Sequence, residues 1–115
     1  MKRFLLLSLI ATNAFSHGMY PTGNLKPEYV YSNIIPVKFN LKNTYNSRKC
    51  YDVEINNQIM TPYTTCLNGG EIKNMTVYVS AKLNQWSVNQ VCSLSPLSGT
   101  SRTRMCLKSQ SYYFR

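Results

Sequence analysis

Apolar and polar residues alternate with a period of two in short runs along most of this chain, and turn-forming residues separate the runs. Val37, Phe39 and Leu41 alternate with Lys38, Asn40 and Lys42, and Tyr51, Val53 and Ile55 alternate with Cys50, Asp52 and Glu54. Met75, Val77 and Val79 alternate with Thr76, Tyr78 and Ser80. Successive side chains of a strand point to opposite faces, so each run describes a half-buried strand. Tyr29-Val30-Tyr31 opens a further strand predicted to end before Pro36, and Gln85 to Leu94 and Arg104 to Phe114 supply two more. Turn chemistry lies between them, at Asn43 to Ser47, Asn56-Asn57, Asn68-Gly69-Gly70 and Ser95 to Ser101. Pro62 interrupts Gln58 to Cys66 and places that segment at a sheet edge. With no amphipathic helix in view, the pattern predicts an all-β, antiparallel sandwich.

The segment ahead of these strands has a different character. Lys2 and Arg3 precede a short apolar run, Phe4 to Ala11, which is followed by small and polar residues. This is the anatomy of a secretory signal peptide, and the run is too short for the roughly 20 residues of a spanning helix. The small-x-small triplet Ala14-Phe15-Ser16 predicts cleavage before His17. The expected organisation is a signal peptide at 1–16, an extended N-terminal arm at 17–28 rich in Pro and Gly, and one domain at 29–115. The expected destination is the periplasm or the medium.

Of the chain's 13 basic residues, Lys2 and Arg3 leave with the signal, so 11 face the four acids Glu28, Asp52, Glu54 and Glu71 and the net charge is +7. Such a surface attracts acidic proteins and anionic polymers. Most of the basic residues are dispersed, but Arg102, Arg104, Lys108 and Arg115 cluster along the last strand, beside Tyr112 and Tyr113. Those six are the candidate binding residues. Four cysteines, Cys50, Cys66, Cys92 and Cys106, read as a disulfide set in an exported domain. Three connectivities are open; Cys50–Cys66 and Cys92–Cys106 are favoured because they close hairpin-like loops of 15 and 13 residues. Each bridge is worth roughly 3 kcal/mol in the chain-entropy account. The spacings lack the close paired cysteines of a structural zinc site.

The run Val37 to Ile55, followed by Gly69-Gly70-Glu71-Ile72-Lys73-Asn74-Met75-Thr76-Val77-Tyr78-Val79, resembles the N-terminal immunoglobulin-like domain of periplasmic pilus chaperones. His17-Gly-Met-Tyr-Pro21, Leu25-Lys-Pro27, Val91-Cys92-Ser93 and Arg104-Met105-Cys106-Leu107-Lys108 are similar to pieces of small exported proteins of marine tailed phages. The resemblance implies an immunoglobulin-like sandwich, supports the Cys92–Cys106 bridge and suggests a phage-encoded origin. Pilus chaperones complete a partner's sheet with a strand of their own. Their second domain and early-strand basic residue have no counterpart here, so the resemblance implies edge-strand pairing rather than full chaperone activity.

Catalytic chemistry is poorly provided for. The single histidine, His17, lies in the arm, where no fixed geometry is expected, and paired cysteines leave no Cys–His nucleophile. Asp52 and Glu54 share a strand face and read as a solvated polar face before an acid–base pair. Cleavage after Ala14 would set an N-terminal amine, two amides and His17 around Cu(II) or Ni(II), whereas cleavage after Ser16 destroys that set. Tyr112, Tyr113 and Phe114 offer stacking surfaces for a nucleic acid, but export removes most such partners, and strand packing explains these rings equally. Asn74-Met75-Thr76 fits a glycosylation pattern but falls inside a strand. The expectation is a non-enzymatic interaction module with no cofactor. Its expected partner is an envelope or extracellular protein; the alternative is an effector that binds anionic envelope polymers.

Overall fold

A computed structural model describes residues 17–23, 25–98 and 100–115; the expected signal segment lies outside the described residues. Among the described residues nine strands follow one another: β1 (His17–Pro21), β2 (Glu28–Val30), β3 (Ile34–Asn43), β4 (Lys49–Ile55), β5 (Gln58–Ile59), β6 (Thr65–Leu67), β7 (Ile72–Ser80), β8 (Trp86–Leu94) and β9 (Arg104–Tyr113). Among the described residues the one helical piece is a 3-10 turn, Thr61–Tyr63. The smaller sheet runs β1-β3-β7 and the larger runs β2-β9-β8-β4-β5, with β6 also paired to β4. In chain order these match the A-B-E and G-F-C strands of an immunoglobulin-type sandwich. One pairing departs from the expected antiparallel pattern. β2 lies parallel to β9, with Tyr29 opposite Tyr112, so the larger sheet is mixed.

The alternating runs turn their apolar sides to one another. Met19, Ile35, Val37, Phe39, Leu41, Met75, Val77 and Val79 from the smaller sheet meet Tyr51, Val53 and Val91 from the larger, with Leu67 and Ala81 closing the core. Asn56 and Asn57 both take positive φ (52° and 69°) and form the two-residue loop between β4 and β5. Gly70 sits at φ 77°, and a Cβ on Gly69 would stand 2.5 Å from the Asn46 carbonyl oxygen, so this turn needs both glycines.

Several boundaries differ from the sequence reading: the strand expected from Tyr29 breaks after Val30, and Gln58 to Cys66 splits into β5 and β6 around the 3-10 turn. β3 starts before Pro36 and runs through it. The pairing parity points the missing Pro36 N–H toward the β1 side, and β1 reaches only to Phe39, so no ladder bond is lost. Residues 17–21 of the expected arm form a true strand, β1, antiparallel to β3, with His17 opposite Asn43. Both favoured disulfides are present, Cys50–Cys66 between β4 and β6 and Cys92–Cys106 between β8 and β9. Each joins directly opposed residues of neighbouring strands within the larger sheet.

Polar contacts take the place of a covalent link between the sheets. His17 Nε2 lies 2.9 Å from Ser93 Oγ, and its ring packs 5.1 Å from that of Tyr51. Burial, helped by the nearby Tyr45 phenol, pushes the Tyr51 hydroxyl up to about 12. It donates to Asn43 Oδ1 at 2.7 Å, an oxygen that also accepts the Tyr45 N–H. Asn43 Nδ2 donates in turn to the carbonyls of Ser47, Leu67 and Asn68. Asn43→Ala leaves these buried groups without partners and is expected to lower stability by roughly 3 kcal/mol, while Tyr51→Phe costs about 1 kcal/mol. Urea unfolding followed by circular dichroism checks both.

Candidate functional site

The smaller sheet has three strands where the four-stranded sheet of an immunoglobulin sandwich carries another beside its third. β7 is therefore an edge strand nine residues long, its outer side unpaired among the described residues from Ile72 to Thr76. Its hydrogen-bonding parity follows from three contacts. The Glu71 carbonyl accepts from Asn43 N on the β3 side. Tyr78 N–H points away from β3, donating to Tyr63 Oη at 3.2 Å, and the Ser80 carbonyl accepts from Asn89 Nδ2 at 2.8 Å. Both N–H and C=O of alternate residues in an antiparallel strand face the same side. Ile72, Asn74 and Thr76 thus direct their main-chain groups outward, and no strand pairs with them among the described residues. β1, β3 and β7 contain no carboxylate and carry Lys38, Lys42 and Lys73.

The larger sheet holds the residues singled out on the last strand, and they divide. Arg102 pairs with Asp52 at 2.8 Å and donates from Nε to the Ser95 carbonyl. Arg104 pairs with Glu54 at 2.8 Å and donates to Asn57 Oδ1. The Glu54 oxygen is buried without a hydrogen bond, and the ion pair is its compensation. Half of the expected anion-binding strip is neutralised in this way, and Asp52 and Glu54 are counterions to arginine. The Arg102 hydrogen bond holds the Asp52 carboxyl below its ordinary value; partial burial opposes this and a hydrogen bond from Thr64 adds to it. Lys108 and Arg115 are exposed, with no ion pair among the described residues.

Tyr113 turns inward and packs against the core. Tyr112 turns outward into a cluster that sequence reasoning missed. Tyr29, Trp86 and Tyr112 have mutual ring-centroid separations of 5.5–5.6 Å, and Phe114 joins them to Tyr31 at 6.0 and 4.7 Å. Tyr31, Tyr29 and Trp86 are 82%, 67% and 47% exposed, while Tyr112 and Phe114 are half-buried among them. The signal available was Trp86 and Val88 alternating out of phase with Val91; the β2–β9 pairing that delivers Tyr29 had no local signature.

His17 is buried, contrary to the expectation for an arm. Phe15 and Ser16 of the conditional copper set lie outside the described residues, and His17 itself is engaged by Ser93 and Tyr51. Among the described residues no group of three or more His, Cys, Asp or Glu gathers as a metal site. No helix among them is long and apolar enough to cross a membrane. The two disulfides fit an oxidising compartment. In comparison with known proteins, the chain matches no family model and no curated protein.

Two measurements follow. Amides of Asn74 and Thr76 are expected to exchange with deuterium fast while those of Met75 and Val77 are protected, as resolved by NMR. Burial lowers the His17 pKa below its ordinary 6.5, with the Ser93 backbone contact opposing the shift. Between the folded value and 6.5 the unfolded chain binds more protons, so stability is full above about 6.5 and declines as pH falls through that window. Asp52 has its effect separately, its contribution being present above 3.8 and lost as pH falls further through its depressed folded value. Urea midpoints at stepped pH should show the first decline in the parent protein and not in His17→Gln.

Proposed function

We propose that this chain is an exported, non-enzymatic binding module that takes up an extended segment of an envelope or extracellular protein on the free edge of β7. The carrying observation is the outward main-chain set of Ile72, Asn74 and Thr76 on a strand with one neighbour. An added strand binds through such groups, and its side chains set specificity. An exposed edge this long is otherwise a liability, since it invites pairing with any other chain. The lysines of the smaller sheet and the absence of carboxylates from its strands favour an acidic partner segment. Export rests on the charged, then apolar, then small-residue order of residues 1–16, and the two disulfides agree with it.

The test is Thr76→Pro. Proline removes one outward N–H, keeps the inward ladder to β3, and asks of Met75 only the extended backbone it already has. The variant is expected to keep the parent's circular dichroism and to lose its partner in affinity capture from the secreting cell's envelope fraction. Capture should persist in 0.5 M salt, whose Debye length of about 4 Å suppresses binding through dispersed charge. A partner retained equally by Thr76→Pro, or released entirely by salt, overturns the proposal.

A further inference from the structure

Where the end of β7 meets β8, the ring cluster borders a hollow of about 410 Å3 that shares Trp86 as a wall. Asn56, Ser80, Gln85, Ser87 and Asn89 line it with amides and hydroxyls, and Lys82 is the one cation among the described residues that line it. Part of the lining is fixed: Asn56 Nδ2 donates to Asn89 Oδ1 at 2.9 Å, and Asn56 Oδ1 accepts from Gln90 N at 2.9 Å. Asn84, at φ 57°, turns the chain immediately before Gln85 and Trp86. Among the described residues, the Lys82 ammonium, the Gln85 amide and the Trp86 indole N–H make no hydrogen bond to the protein.

The chemistry of the lining selects the occupant. A lipid chain or an apolar peptide would bury the amides and the ammonium without partners, which is costly. A single nucleic-acid strand could stack its bases on the rings but offers few hydroxyls to the amides, and it enters the test as a competitor. A second copy would bring together two chains of formal charge +7 once residues 1–16 are removed. A sugar ring has an apolar C–H face to lie on an aromatic ring and a hydroxyl rim to meet amides. We propose that the hollow and the rings form one groove for an acidic polysaccharide. Lys82 pairs with an acidic substituent, Gln85 and the indole N–H bond hydroxyls, and Trp86, Tyr112 and Tyr29 carry successive sugar faces. This surface meets the β7 edge only at Ser80, away from the outward main-chain groups of Ile72, Asn74 and Thr76.

Trp86 is the chain's single tryptophan, so its emission reports on the groove alone. The experiment titrates the folded protein with polygalacturonate, dextran, oligothymidylate and anionic phospholipid vesicles. A saturable emission change with polygalacturonate is expected, about tenfold weaker with dextran, since the charge-assisted contact is lost. Lys82→Gln and Tyr112→Ala should each weaken polygalacturonate about tenfold, and Thr76→Pro should leave it unchanged. Lys82 is exposed, so its variant carries the test if Tyr112→Ala fails to fold. No response to polygalacturonate, an undiminished response in Lys82→Gln, or tighter binding of oligothymidylate or vesicles overturns the assignment.

Discussion

One buried amide side chain holds four parts of this sandwich together. Asn43 ends β3, receives the Tyr51 hydroxyl from β4 and the Tyr45 amide from the following loop, and gives its own hydrogens to Ser47 and to the Leu67–Asn68 turn. Water cannot serve these groups in the interior, so the geometry must satisfy them together or leave several unpaired. That requirement fixes where β3 stops and where β4 begins. It also fixes the turn from which β7 departs, and so the strand whose outer edge is open. In an immunoglobulin domain a disulfide commonly ties the two sheets; here both bridges lie within one sheet, and the His17–Ser93 contact joins the layers.

The strands were legible because each alternates cleanly against one core. Val37-Phe39-Leu41, Tyr51-Val53 and Met75-Val77-Val79 are buried as their period requires, and the Asn-Asn turn has the left-handed backbone its residues tolerate. Near the sheet edges the reading blurred. A proline lacks a donor and so can end a strand, yet at Pro36 the missing donor points where no neighbour lies. His-Gly-Met-Tyr-Pro has no period and so reads as an arm; the burial of His17 in β1 comes from Ser93 and Tyr51, distant in sequence.

The candidate sites were legible in composition more than in place. Arg102 and Arg104 looked like half of an anion-binding strip, but charges on adjacent strands compensate when the sheet brings them together, and Asp52 and Glu54 do so. Tyr112 and Tyr113 looked alike, and strand parity sends one to solvent and the other to the core. The ends of the larger sheet's outer face consequently differ. One is closed by ion pairs and by the loop that Arg102 fastens to Ser95, and the other is a bare group of rings.

The order in which contacts can form during folding follows from the chain positions of the bridges and the inter-sheet contact. The disulfides join residues 16 and 14 apart, hairpin closures that cost little entropy and are available as soon as each segment emerges. His17 must wait for Ser93, 76 residues later, and β2 must wait for β9, the last strand of all. Non-local pairings of this kind make folding slow. Oxidation can therefore precede assembly, with two covalently closed hairpins waiting for the first and last strands to find each other. Until β9 arrives, Tyr29 and Trp86 have no Tyr112 between them, and the unfinished chain exposes apolar surface at the point where the finished protein groups its rings.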